Sequence, residues 1–140
     1  MLAVLTALAL PAGASANSKT MEMLAAVNGV RAHFGLPALH YSRSLSHSAH
    51  SYSRHMIHSG YFGHDSRIHA SRRYRTLGEI LDYRRGMRPR VHATLRDWLN
   101  SPEHRSIILS RSFTSAGAGY ARGRFHGVRS TLWTMHFGHR

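Results

Sequence analysis

The chain has 140 residues, is 42% hydrophobic and carries 19 Lys and Arg against 6 Asp and Glu, a formal charge of +13. That is enough for one globular domain with its own core, and the absence of cysteine excludes a disulfide framework, thiol catalysis and Cys-based zinc sites. All the cations but Lys19 are arginines, a surface that is either simply solubilising or attractive to polyanions such as envelope polymer, lipid head groups or nucleic acid.

Residues 1–16 form a short apolar run followed by small residues ending in an Ala14-Ser15-Ala16 pattern, the layout of an export signal cleaved before Asn17. Residues 17–140 then make a single domain. No Lys or Arg precedes Lys19, which leaves two other readings: a start inside a longer gene, or a plain apolar terminus. The run falls short of the ~20 residues of a spanning helix, and no other segment is long and apolar enough, so an integral membrane protein is not expected.

Beyond Ser18, Met23, Val27, Val30 and Phe34 recur at helical spacing on one face of a first helix, stopped by Gly35 and Pro37. A second helix, about 44–59, places Leu45, Ala49, Tyr52 and Met56 inward and ends at Gly60. His47, His50, Arg54 and His58 then lie on its solvated face. A basic segment, 67–75, leads to Thr76-Leu77-Gly78-Glu79-Ile80-Leu81. Pro89 introduces a third helix with Val91, Leu95, Trp98 and Leu99 inward, and Ser101-Pro102-Glu103 signals a fourth through an N-cap hydroxyl, a first-position proline and an acid suited to the helix dipole. The segments 113–121 and 130–137, flanking a turn region 123–127, read as a hairpin. Helices first and strands last define an α+β order.

Three local words recur in order: Tyr61-Phe62-Gly63-His64, Gly78-Glu79-Ile80 and Trp98-Leu99-Asn100-Ser101-Pro102-Glu103-His104-Arg105. Leu24, Asn28, Arg31, Gly35, Leu36 and Leu39 add an opening word, and Phe113, Thr114, Gly117, Gly119, Leu132, Trp133, Phe137 and Gly138 a closing one. Together they resemble the bacterial, cysteine-free branch of the CAP (SCP-like) superfamily of secreted proteins. The resemblance implies an α-β-α sandwich with a small antiparallel sheet between helical layers, a secreted or envelope location, and a cleft where His64 and His104 meet Glu79. It also implies an asparagine after the glutamate, where this chain has Ile80, and a longer loop than the stretch between His64 and Glu79. A second acid of the cleft has no counterpart at a motif position; Asp97 and Glu103 are merely near in sequence.

Two imidazoles and a carboxylate can hold a zinc ion with an open position, work as an acid/base pair, or form a structural hydrogen-bonded cluster. The expected function is a ligand-binding module for lipid or anionic cell-envelope polymer, with Zn2+ on His64, His104 and Glu79 as a candidate ion and no nucleotide cofactor. The alternative is a metal-assisted hydrolase of a peptide, ester or envelope substrate using the same trio. The chain lacks His-Glu-x-x-His, Gly-x-Ser-x-Gly, Ser-x-x-Lys, phosphate-binding and dinucleotide glycine motifs, and no nucleic-acid-binding word accompanies the charge. Nothing marks Ser66, Ser101 or Ser106 as a nucleophile, and carboxylate-pair chemistry would have to draw on Asp65, Glu79, Asp82, Asp97 and Glu103. The pairs His47/His50 and His55/His58 have helical spacing for incidental metal affinity. Trp98 and Trp133 read as core anchors.

Overall fold

The computed structural model describes residues 12–140, with side chains from Asn17 onward, so the expected export signal and its cleavage pattern lie outside the residues described with side chains. The elements are α1 (Ala12–His33), β1 (His40–Tyr41), α2 (Arg43–Ser59), β2 (Thr76–Arg85), α3 (Val91–Asn100), α4 (Pro102–Ile108), β3 (Ser115–Phe125) and β4 (Val128–His139). Among the described residues no helix is long and apolar enough to cross a membrane. The sheet has the order β1-β3-β4-β2. β4 is antiparallel to both β2 and β3, whereas β1 pairs in parallel with β3 over two residues, an exception to the expected antiparallel sheet.

Strand alternation divides the core between the two faces. Ile80, Ala116, Ala118, Tyr120, Trp133, Met135 and Phe137 join the larger apolar cluster with α1, α3 and α4, while Leu81 and Leu132 meet Tyr52 and Met56 of α2 in the smaller one. Both tryptophans are buried core residues as expected. Helices therefore cover both faces, in the α-β-α arrangement.

α2 follows its expected pattern, with Leu45, Ala49, Tyr52 and Met56 buried and His47, His50, Arg54 and His58 on the outer side. Gly60, with φ 67°, closes it in the left-handed region that glycine adopts without strain. Its approach to β3 is close: a Cβ on Gly117 would stand 2.2 Å from the Ser46 amide nitrogen, and one on Gly119 would stand 2.2 Å from that of His50. The side chains at the contact bond to the strand, Ser46 Oγ donating to Ala118 O at 2.7 Å and His50 Nδ1 to Tyr120 O at 3.0 Å.

Four local expectations are revised. Phe34 is 48% exposed and packs under the Arg105 guanidinium instead of the core. Ser101 holds the N-cap position of α4 without a capping side-chain bond. The hairpin turn is only His126-Gly127, with φ of 48° and 78°, the two positive angles that a two-residue connection needs. The Gly78-Glu79 word lies in a ten-residue strand, β2, that periodicity did not predict.

Asn28 and Arg31 hold the far end of α1. Asn28 makes two bonds with the backbone of Leu39, and the buried Arg31 guanidinium donates to Pro37 O at 3.0 Å, Ile108 O at 2.7 Å and Ser110 O at 2.8 Å.

The glycine contacts make a paired prediction. Gly119→Ala is expected to destabilise by about 3 kcal/mol or more, because backbone of α2 must move. Gly29→Ala, in a helix with nothing within 4 Å of the new Cβ, is expected to stabilise by about 0.5–1 kcal/mol. Urea denaturation of both variants measures the two effects.

Candidate functional site

The site grows from one carboxylate. Glu79 sits near the start of β2, on the α2 face of the sheet, and is 7% exposed. Its Oε1 accepts from His64 Nδ1 at 2.9 Å and from the Asp65 amide at 2.9 Å, and its Oε2 accepts from His136 Nε2 at 2.8 Å. Burial alone would raise its pKa, yet the bonds from His136, the Asp65 amide and His64 outweigh that cost and hold it below the ordinary carboxylate value. A carboxylate only accepts, so Nδ1 of His64 and Nε2 of His136 both carry hydrogen.

His64 follows α2 in the loop, and its side chain is 67% exposed. Glu79 fixes its Nδ1 side, so Nε2 is the ring atom available to a ligand. The loop is tied back to α2 by Tyr52, whose OH donates to Gly63 O at 2.5 Å. Burial first, then the nearby Glu79, Asp65 and Tyr61, push the Tyr52 pKa up to about 12, so it remains a donor across the physiological range.

His104 stands in the first turn of α4, half-buried. Burial lowers its pKa, the positive charge of a protonated His64 lowers it further, and Glu103 opposes both. It is within electrostatic reach of His64 but makes no hydrogen bond to His64 or Glu79 among the described residues. Asp97 lies elsewhere, paired with Arg84.

His136 is the member that sequence reasoning missed. It is fully buried, stands directly across from Glu79 in the β2–β4 register, and its Nδ1 has no partner among the described residues. The available signal was one ionisable residue inside an apolar strand run, Leu132 to Phe137. Ile80, at the position expected to bear a polar asparagine, turns to the other face and is buried in the larger cluster. Support for Glu79 comes instead from the strand beside it.

The trio supplies less to a metal than its residue types imply. Both Glu79 oxygens are engaged by protein donors, and among the described residues no group of three His, Cys, Asp or Glu side chains is arranged to hold an ion. Beside the cleft a groove of about 490 Å³ runs between α2 and the following segment, lined by His47, Ser51, Tyr52, His55, Asp65 and His69.

A helix-covered sheet with a carboxylate bonded to two imidazoles at its edge strand defines a CAP-type domain. Residues 24–137 match the model of the cysteine-rich secretory protein family, CAP, and the chain belongs to that family. It is 30% identical over 136 residues to YkwD, an uncharacterized protein of Bacillus subtilis, covering 91% of this chain but only about half, 49%, of the relative. Among solved structures it is similar to an extracellular SCP-domain protein of Bacillus anthracis, at 23% identity and TM-score 0.72 over 96% of this chain and 45% of the other. It is also similar to an outer surface protein of Borrelia burgdorferi, at 17% identity and TM-score 0.69 over 88% and 93%. These likenesses show the fold.

Glu79→Gln is expected to cost about 2–4 kcal/mol at neutral pH, since it leaves buried donors poorly matched. Because the folded-state pKa is depressed, the contribution of Glu79 is complete above its ordinary value of 4.5 and is lost as pH falls through the lower folded value. The variant's stability should therefore lose part of its acid slope, read by thermal melts from about pH 7 to about pH 2. In NMR titrations His104 is expected below its ordinary 6.5, moving upward in His64→Ala.

Proposed function

We propose that this CAP domain is an extracytoplasmic, non-catalytic binding module whose ligand, anionic envelope polymer or lipid head group, lies against His64, His104 and the adjoining groove. The observation that carries this is the engagement of Glu79 by the protein. A carboxylate held ionised, with bonds from His64 and the Asp65 amide on one oxygen and from His136 on the other, serves to orient an imidazole rather than to meet a substrate itself. What it presents to solvent is the outer edge of His64, fixed in direction and flanked by a polar groove within the volume range of ligand sites. The charge of +13 favours anionic ligands. The names of the similar structures, extracellular in one case and outer-surface in the other, support the location, as does the apolar, small-residue pattern of residues 1–16.

Zinc enters this reading as an exchangeable ion. His64 and His104 would supply two protein nitrogens, with Glu79 orienting the first ring from behind as carboxylates do for metal-bound histidines, one fewer than the usual three protein ligands of an open zinc site. Its chemistry there would be Lewis-acid attraction of an anionic ligand oxygen.

Binding is tested by co-sedimentation with envelope fragments bearing anionic polymer and with phosphatidylglycerol vesicles. His64→Ala with His104→Ala is expected to weaken retention about tenfold or more; unchanged retention would remove the cleft from the binding surface. Hydrolysis of an ester or peptide probe by wild type and not by this variant would make the chain a hydrolase instead. Chelator treatment should leave the melting temperature within about 1 °C, since an exchangeable ion adds little to the folded state; a drop of many degrees would show that metal holds the fold.

A further inference from the structure

A second cavity, of about 580 Å³, lies at the opposite end of α2 from His64, where the first turn of that helix meets β1, the 71–74 turn and the start of β3. Three arginines line it, Arg43, Arg73 and Arg140, and no Asp or Glu does. Among the described residues none of the three guanidinium groups forms a salt bridge. All three arginines are exposed at the rim of the cavity. Neighbouring contacts hold the backbone that carries them. The Ser71 amide donates to Ser44 Oγ at 2.7 Å, Tyr74 OH donates to Ser42 Oγ at 2.7 Å, and the Arg140 guanidinium lies 5.9 Å from the centre of the Tyr74 ring. The basic segment 67–75 is thereby folded back along α2 and anchored at its beginning.

Ser115 adds a donor to the same cavity. The residue is largely buried and lines the cavity. Its hydroxyl is not among the fully enclosed unpartnered polar atoms, so it is open to the cavity and free to donate to a bound group. Ser44 Oγ accepts from Ser71, which leaves its own O–H to donate. The amides of Arg43 and Ser44, in the first turn of a 17-residue helix, have no intrahelical acceptor and stand at the positive end of the helix dipole.

We propose that this cavity binds a phosphoryl oxyanion, with Arg43, Arg73 and Arg140 supplying charge and forked donors and Ser115 and Ser44 supplying hydroxyl donors. The site is separate from the His64 cleft and does not rest on it. Free phosphate, a phosphodiester polymer and a phospholipid head group share the recognised chemistry.

The test is a ¹⁵N NMR titration of the full chain with inorganic phosphate, ionic strength held constant with chloride. Saturable shifts are expected at Ser44, Arg73 and Ser115. Arg43→Gln with Arg73→Gln should weaken binding about tenfold or more, and Ser115→Ala about threefold. A charge-matched control, Arg54→Gln with Arg122→Gln, should change it less than about twofold, and the His64/His104 variant should bind phosphate as wild type does. Poly(glycerol phosphate) and phosphatidylglycerol vesicles, offered to the His64→Ala, His104→Ala variant so that the histidine face does not contribute, identify the source: the one held more tightly than free phosphate, and released by adding the Arg43/Arg73 change, is the natural carrier. Equal weakening by the charge-matched control, or shifts that never saturate, would overturn the proposal in favour of diffuse attraction to a basic surface.

Discussion

The fold depends on a helix taking the place of a strand. β1 covers only the beginning of the outer edge of β3, leaving successive carbonyls of that edge open. The Ser42 amide, Ser46 Oγ and His50 Nδ1 bond in turn to the carbonyls of Ala116, Ala118 and Tyr120. Four residues of helix advance about 6 Å and two residues of strand about 6.8 Å, so the two repeats stay nearly in step over this length. The match requires the helix backbone to lie almost on the strand, which is why positions 117 and 119 have no room for a side chain. One row of contacts thus seats α2, satisfies the sheet edge and places both ends of the helix, from which the His64 loop departs and at which the arginine cavity forms.

Two charged groups organise what remains. Glu79 gathers donors from a loop and from β4, while Arg31 gathers acceptors from the α1–β1 connection and from the end of α4 and the turn after it. Each is buried and each has its hydrogen-bonding capacity largely filled, the condition under which a buried charge is tolerable. Their consequences differ. Arg31 is enclosed by carbonyls and serves the fold alone, whereas Glu79 passes its orientation to an imidazole that reaches solvent.

Much of this was legible in the sequence. α2 and α3 announced themselves by periodicity, and the family words located His64, Glu79 and His104, of which the structure bonds the first two. His136 was not legible, because nothing in a single strand says what lies opposite it; its role depends on the β2–β4 register across 57 residues. β2 was hidden by its position at the sheet edge, where Thr76, Leu77 and Arg85 are exposed and no clean alternation develops. Phe34 misled for a related reason: helical spacing put it on the buried stripe, but α1 ends at His33 and the chain turns away at Gly35.

The order of the elements along the chain has a further consequence for how the molecule comes into being. β3 and β4, the two strands at the centre of the sheet, follow the other described elements of the domain in chain order. α2 has its edge carbonyls to bond, and Glu79 its buried imidazole, only after residues 115–139 exist. Every helix formed earlier exposes an apolar face with no sheet to cover it. A growing or partly threaded chain therefore carries apolar helix faces that the sheet does not yet cover, and their burial waits for the β3–β4 hairpin.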